Sequence, residues 1–195
     1  MSARDEILLN IRARRLAQAP HPERYRAPKT DGNVVEAFAR KLSAAHAEVR
    51  MLDDAAEIPA AIADILRARN MAPEVHMAPD AAPLDLPGVE ILATPPGPFD
   101  AAVTRAPFAI AETGTLAYAS GHGAPASWHF RPLLEIAILR ARDVVGELED
   151  VLAKLGTLPA TLNLVSGPSR TGDIEQTMEL GAHGPKGLVV LVVRG

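Results

Sequence analysis

Residues 162–195 read LNLVSGPSRTGDIEQTMELGAHGPKGLVVLVVRG, and their pattern decides what kind of sheet the chain builds. Residues 188–193, LVVLVV, form an unbroken apolar run. A run without polar alternation fits a strand buried on both faces, as in a parallel sheet covered by helices. An earlier apolar run, residues 162–165, stops at Ser166-Gly167-Pro168. Pro lacks a donor and Gly costs backbone entropy, so pairing ends there. Asp173 and Glu175 suit the first turn of a helix, and Gly181 suits a left-handed end to it. The stretch therefore predicts strand, glycine loop, short helix, second glycine loop and strand.

A loop that leaves a strand and enters a helix presents free N–H groups at the carboxyl edge of a sheet. In open α/β folds that edge takes ligands, and a helix start favours anions. Ser169, Arg170, Thr171, His183 and Lys186 are thus candidates for holding a carboxylate or phosphate. Gly-Pro turns and capping hydroxyls also serve plain architecture in any α/β protein. Two polar glycine loops around one short helix tip the reading toward a site.

A chain of 195 residues implies one domain with a sizeable core. It is 48% hydrophobic but only 4% aromatic, so that core is aliphatic. A formal charge of -4 argues against a nucleic-acid partner, which needs a basic face. With no cysteine, the chain has no disulfide, thiolate nucleophile or Cys-ligated cluster of its own. Charges interrupt the apolar residues of MSARDEILLNIRARR, so no secretory segment is expected there. No apolar run approaches the ~20 residues that span a bilayer. A cytoplasmic, membrane-free protein is the expectation.

In chain order, Ser2 caps a helix that runs to about residue 17, and residues 19–31, rich in Pro and charge, read as a linker. Residues 1–30 form this arm, and residues 31–195 a single α/β domain. Asn33 caps a second helix; residues 47–52 and 74–77 are strand candidates around a helix over residues 54–68. Residues 89–93 read as a buried strand. Residues 133–139 read as another, and Asp143 as the cap of a helix ended by Gly156. The fold expected is α/β and Rossmann-like, a mostly parallel sheet flanked by helices.

A second stretch carries chemistry: Glu112-Thr113-Gly114-Thr115 lies between apolar residues on both sides. A carboxylate in such a setting is costly to bury unless it is hydrogen-bonded or paired. Glu112 either pairs with Arg105, Arg131 or Arg170, or serves in chemistry. Gly114 lets a backbone or ligand approach closely. His122 and His129 share a loop with Trp128, but their spacing matches no metal motif, so no metal is expected. Trp128 reads as a packing anchor.

Residues 111–115 (AETGT), 167–175 (GPSRTGDIE) and 181–186 (GAHGPK) together resemble the LUD-domain family, in its lactate utilization protein C group. Where that family commonly has a Pro and a His ahead of the hydrophobic strand, residues 131–138 here read RPLLEIAI, so this chain either lacks that His or draws on His129 instead. The resemblance implies a fold like that of CoA transferases, ribose-phosphate isomerases and formyltetrahydrofolate cyclo-ligases. It also implies a part in oxidising L-lactate to pyruvate beside iron–sulfur partner proteins. Because this chain has neither Cys nor a GxGxxG loop, clusters and electron transfer fall to the partners, and no cofactor is expected here.

Three functions remain open at this point. One is an accessory subunit, which as a possible homo-oligomer binds a small anionic metabolite. Another is an independent enzyme on an acyl-CoA or sugar-phosphate-like substrate, with Glu112 as base or nucleophile. The third is a scaffold with a vestigial pocket. The candidate site consists of Glu112 as the catalytic group. Thr113, Gly114, Thr115, Arg131, Gly167, Ser169, Arg170, Thr171, Asp173, His183 and Lys186 are its binding residues.

Overall fold

The structure is a computed structural model that describes residues 2–13, 29–30, 32–121, 123, 125–172, 178–180 and 184–195. At its centre are six parallel strands: β1 (Glu48–Leu52), β2 (Glu74–Met77), β3 (Glu90–Leu92), β4 (Ala101–Arg105), β7 (Leu134–Arg140) and β12 (Gly187–Val193). Their spatial order is β1-β12-β7-β4-β2-β3. The apolar run of residues 188–193 is thus an inner strand, paired in parallel with β1 on one side and β7 on the other. Every one of those six residues is buried. Each aliphatic side chain removed from water there contributes about 1.5–3 kcal/mol, which is why the run avoids polar residues.

Register assigns the two faces. Val189, Ile136 and Val103 align across the sheet and pack against α3 (Ile58–Ala68). This helix buries Ile58, Ala61, Ile62, Ile65 and Leu66, the stripe expected of 3.6-residue periodicity. A 3₁₀ turn capped by Asp54, with Glu57 completing a capping box, leads into it. On the other face Val190, Ala137 and Thr104 align beneath α2 (Val34–Ala44) and a second, smaller sheet. Asn33 caps α2 through its side-chain oxygen, which accepts from the N–H groups of Val35 and Glu36. The smaller sheet is mixed, in the order β8 (Val144–Val145), β5 (Phe108–Ile110), β6 (Thr115–Ala119) and β9 (Leu162–Val165).

Ser2 does start a helix, α1 (Ala3–Ala13), with its hydroxyl accepting from the Asp5 N–H, but that helix buries no residue. The remainder of the expected arm, from residue 14 to residue 28, lies outside the described residues. No described helix is long and apolar enough to cross a membrane.

Four sequence expectations need correction. First, the short helix over residues 173–181 gives way to an antiparallel ribbon, β10 (Arg170–Gly172) on β11 (Met178–Leu180), with residues 173–177 outside the described residues. A segment of that length between glycines is too short to form a helix unaided, and residues 178–180 pair with residues 170–172 instead. Second, β9 pairs antiparallel with β6 in the small sheet, so the loop after it does not sit at the carboxyl edge of the parallel sheet. Third, Asp143 closes a 3₁₀ turn rather than capping a helix. Val144–Val145 pair with β5, and α5 (Leu148–Leu155) begins later behind a Glu147–Asp150 capping box. Fourth, β3 is an edge strand with Ile91 exposed, where a buried strand was expected.

Candidate functional site

The Glu112 segment is the tight turn of the β5–β6 hairpin, in which Ile110 pairs with Thr115. Its backbone is held from two sides. The Glu112 N–H donates to the Gly146 carbonyl, and the Glu112 carbonyl accepts from the Lys41 ammonium of α2. Gly114 has φ +68°, and a Cβ there would lie 2.6 Å from the Leu42 nitrogen and 2.8 Å from the Lys41 carbonyl carbon. Gly167, at φ +126°, would put a Cβ 2.7 Å from the Ala45 oxygen. The two glycines therefore act alike, since each lets a loop touch the backbone of α2 or of the turn that ends it.

A chain of hydroxyls ties these two loops together. Thr113 Oγ1 lies 2.6 Å from Thr115 Oγ1, which lies 2.6 Å from Ser166 Oγ. Glu112, Thr113, Thr115 and Ser166 border a cavity of about 330 Å3. Glu149 also lines it, and no Arg or Lys among the described residues does. Among the described residues the Glu112 carboxylate takes part in no ion pair.

The cations gather elsewhere. Arg131 and Lys186 line a cavity of about 180 Å3 with Phe130, Pro132, Leu133, Gly184 and Pro98. It lies at the amino ends of β7 and β12. The Arg131 segment follows the short helix α4 (Ser127–Phe130), while Lys186 directly precedes β12. The Ser169 N–H donates to the Pro185 carbonyl at 2.8 Å, and a Cβ at Gly184 would lie 3.1 Å from Ser169 Cβ. Ser169, Arg131 and Lys186 are thus brought into one neighbourhood. Among the described residues no Asp or Glu lines the cavity, while Arg131 and Lys186 both do. Arg170 opens β10 with an exposed side chain. Thr171 belongs to the same strand, while Asp173 and His183 lie outside the described residues.

Next to this cavity in the chain is a cluster that the sequence reading passed over. Glu135, on β7, is completely buried. One of its oxygens accepts from Thr104 Oγ1 at 2.8 Å and Tyr118 Oη at 3.1 Å, and lies 2.7 Å from His129 Nδ1. The Tyr118 and His129 rings stack with centroids 3.7 Å apart. Burial and the neighbouring Glu135 push the Tyr118 phenol well above its ordinary range. Burial also raises the Asp80 carboxyl, against the opposing pull of His129 and Arg105. The signal was present in LLEIAIL, a carboxylate inside an apolar strand. The rule applied to Glu112 selects Glu135 with more force. Trp128 packs on Ala78 and Ala102, as an anchor should.

Residues 97–193 match the model of the LUD domain. Lactate utilization protein C of Halalkalibacterium halodurans is 34% identical over 101 residues, which cover 48% of this chain and 44% of that protein. Its namesake from a Geobacillus species is 31% identical over 98 residues, 47% of this chain and 41% of the relative. An uncharacterized protein of Neisseria meningitidis is 34% identical over 99 residues, 49% and 42% of the two chains. These alignments thus span less than half the length of the curated relatives. In three dimensions, the crystal structure of a DUF162 family protein from Deinococcus radiodurans superposes with a TM-score of 0.57 at 24% identity. That match covers 82% of this chain and 96% of the other, and it supports the fold.

Proposed function

We propose, from the premise that this chain carries a LUD domain over residues 97–193, that it is a component of L-lactate utilization which binds a small carboxylate between Arg131 and Lys186. The observation that carries the reading is the pair of cations around one small cavity, with no acidic side chain among the described residues of its lining. A planar guanidinium receives a carboxylate in a bidentate fashion, and the lysine adds a second charge-assisted bond. The small volume suits a three-carbon acid such as lactate or pyruvate. Relatives named lactate utilization protein C supply the metabolic context.

The redox step is assigned to partner proteins that bear iron–sulfur clusters, because a chain without cysteine offers no thiolate ligand for them. The protein is an accessory, anion-binding subunit in this reading, and it acts in the cytoplasm. Its fold is akin, in the same reading, to those of CoA transferases and ribose-phosphate isomerases. No catalytic part is assigned to Glu112, whose cavity is also lined by Glu149 and, among the described residues, by no Arg or Lys.

Calorimetric titration of the full chain with L-lactate and with pyruvate tests the proposal. Loss of either cation should weaken binding by about tenfold or more, the value of one hydrogen bond to a charged group. Binding that is unchanged in both Arg131→Ala and Lys186→Ala would refute it.

A further inference from the structure

A larger cavity, about 470 Å3, opens at the opposite, carboxyl edge of the parallel sheet. Residues of three of the sheet's inner strands line it: Arg105 from β4, Ile138 and Arg140 from β7, and Val193 from β12. Register explains the convergence. Arg105 aligns with Ile138, and Arg140, two residues beyond, aligns with Val193. Alternation then puts Arg105 and Arg140 on one face of the sheet, the face covered by α3. Arg142, in the 3₁₀ turn after β7, adds a third guanidinium. Among the described residues no Asp or Glu lines it, and Gly195 borders it as well.

Asp80 offsets part of the Arg105 charge from the loop after β2. Arg140 and Arg142 take part in no ion pair among the described residues. Guanidinium groups brought together at a sheet edge repel one another, and a cluster of this kind is stabilised by an anion. A monocarboxylate would leave most of the charge unmatched. A phosphate carries up to two charges on oxygens spaced for the guanidinium fork, and a diphosphate carries more. The volume falls in the range of small-molecule sites and exceeds what a bare inorganic ion requires. Ile58, Pro83, Leu84, Ile138 and Val193 supply apolar wall for an organic body.

The geometry points to a second ligand site here, taking an organic phosphate or diphosphate ester whose phosphoryl oxygens are held by Arg105, Arg140 and Arg142. It is independent of the lactate reading. The seven residues of β7 separate this edge from the Arg131–Lys186 cavity by about 20 Å at ~3.3 Å per residue.

The test is calorimetric titration of the full chain with inorganic phosphate, glycerol 3-phosphate and ADP. At least one ester should bind more tightly than inorganic phosphate. Arg140→Ala and Arg142→Ala should each weaken that binding about tenfold or more. Arg140→Lys, which keeps the charge but loses the fork, should fall between. Lys186→Ala should leave ester binding unchanged. Arg140 and Arg142 are exposed, and thermal unfolding of each variant checks that the fold survives. Binding of inorganic phosphate alone would overturn the proposal, as would ester binding that persists in the Arg140→Ala/Arg142→Ala double variant. L-lactate titrated into that double variant keeps the two sites' fates separate, since the amino-edge reading expects no change there.

Discussion

Replacing Gly114 by Ala separates an architectural glycine from a ligand-binding one. The new Cβ would sit 2.6 Å from the Leu42 nitrogen and 2.8 Å from both the carbonyl carbon and the Cβ of Lys41. Two of those three atoms are backbone of α2, so relief requires the helix to move. Overpacking of this sort costs about 1–3 kcal/mol. The residue also holds φ +68°, where an L side chain costs about 1–2 kcal/mol more. The two contributions sum to about 2–5 kcal/mol, a large share of the ~5–15 kcal/mol that keeps a domain folded. Gly88 is the internal control: its φ is +77°, yet a Cβ there meets nothing within 4 Å. Gly88→Ala should therefore lose only the dihedral contribution, about 1–2 kcal/mol. Urea unfolding of wild type and both variants, with unchanged slope, gives the comparison directly. Should Gly114→Ala match Gly88→Ala within about 0.5 kcal/mol, the contact with α2 is not what the glycine is for.

Other consequences follow from the buried and half-buried acids. Glu135→Ala removes the shared acceptor of Thr104, Tyr118 and His129 inside the core and should cost about 3–5 kcal/mol in denaturant unfolding, against about 1 kcal/mol for Tyr118→Phe. Equal losses would mean that the cluster is not centred on Glu135. Burial pulls the Glu48 carboxyl upward, but hydrogen bonds and charge from Arg69 and Arg50 win, and its folded pKa is lowered. Its contribution is therefore present above the ordinary carboxylate value and lost as pH falls through the lowered one. Glu48→Gln should lower Tm slightly at pH 7, and thermal scans at decreasing pH should find the difference vanish; because the pair is partly exposed, the effect should also shrink in high salt. Asp80 has the opposite sign: burial raises its carboxyl, so the stability tied to it is present in acid and lost as pH rises through the raised value. Asp80→Asn should accordingly flatten that loss, and a steeper one in the variant would contradict the assignment.

Local pattern alone determined a good part of this protein. Runs such as residues 188–193 and 134–139 have nowhere to be but inside a covered parallel sheet, and Asn33 and Asp54 mark helix starts through a side chain that satisfies its own neighbours. These signals are short-range, so they survive without knowledge of the fold. Residues 170–172 and 178–180 pair as strands where a helix was expected to begin and end, because the choice between two weak local states passes to whichever partner is available. Tertiary structure alone decided which of the candidate residues meet. It seated Gly114 against α2 and Gly167 against the turn that ends it, set Glu112 and Glu149 around one cavity, and drew Arg131 and Lys186 together from segments 55 positions apart. It also gathered Arg105, Arg140 and Arg142 at the other edge, because parallel register aligns the ends of strands that are distant in sequence. A sequence names the charges it carries; which of them face one another depends on strand order, a property of the whole sheet.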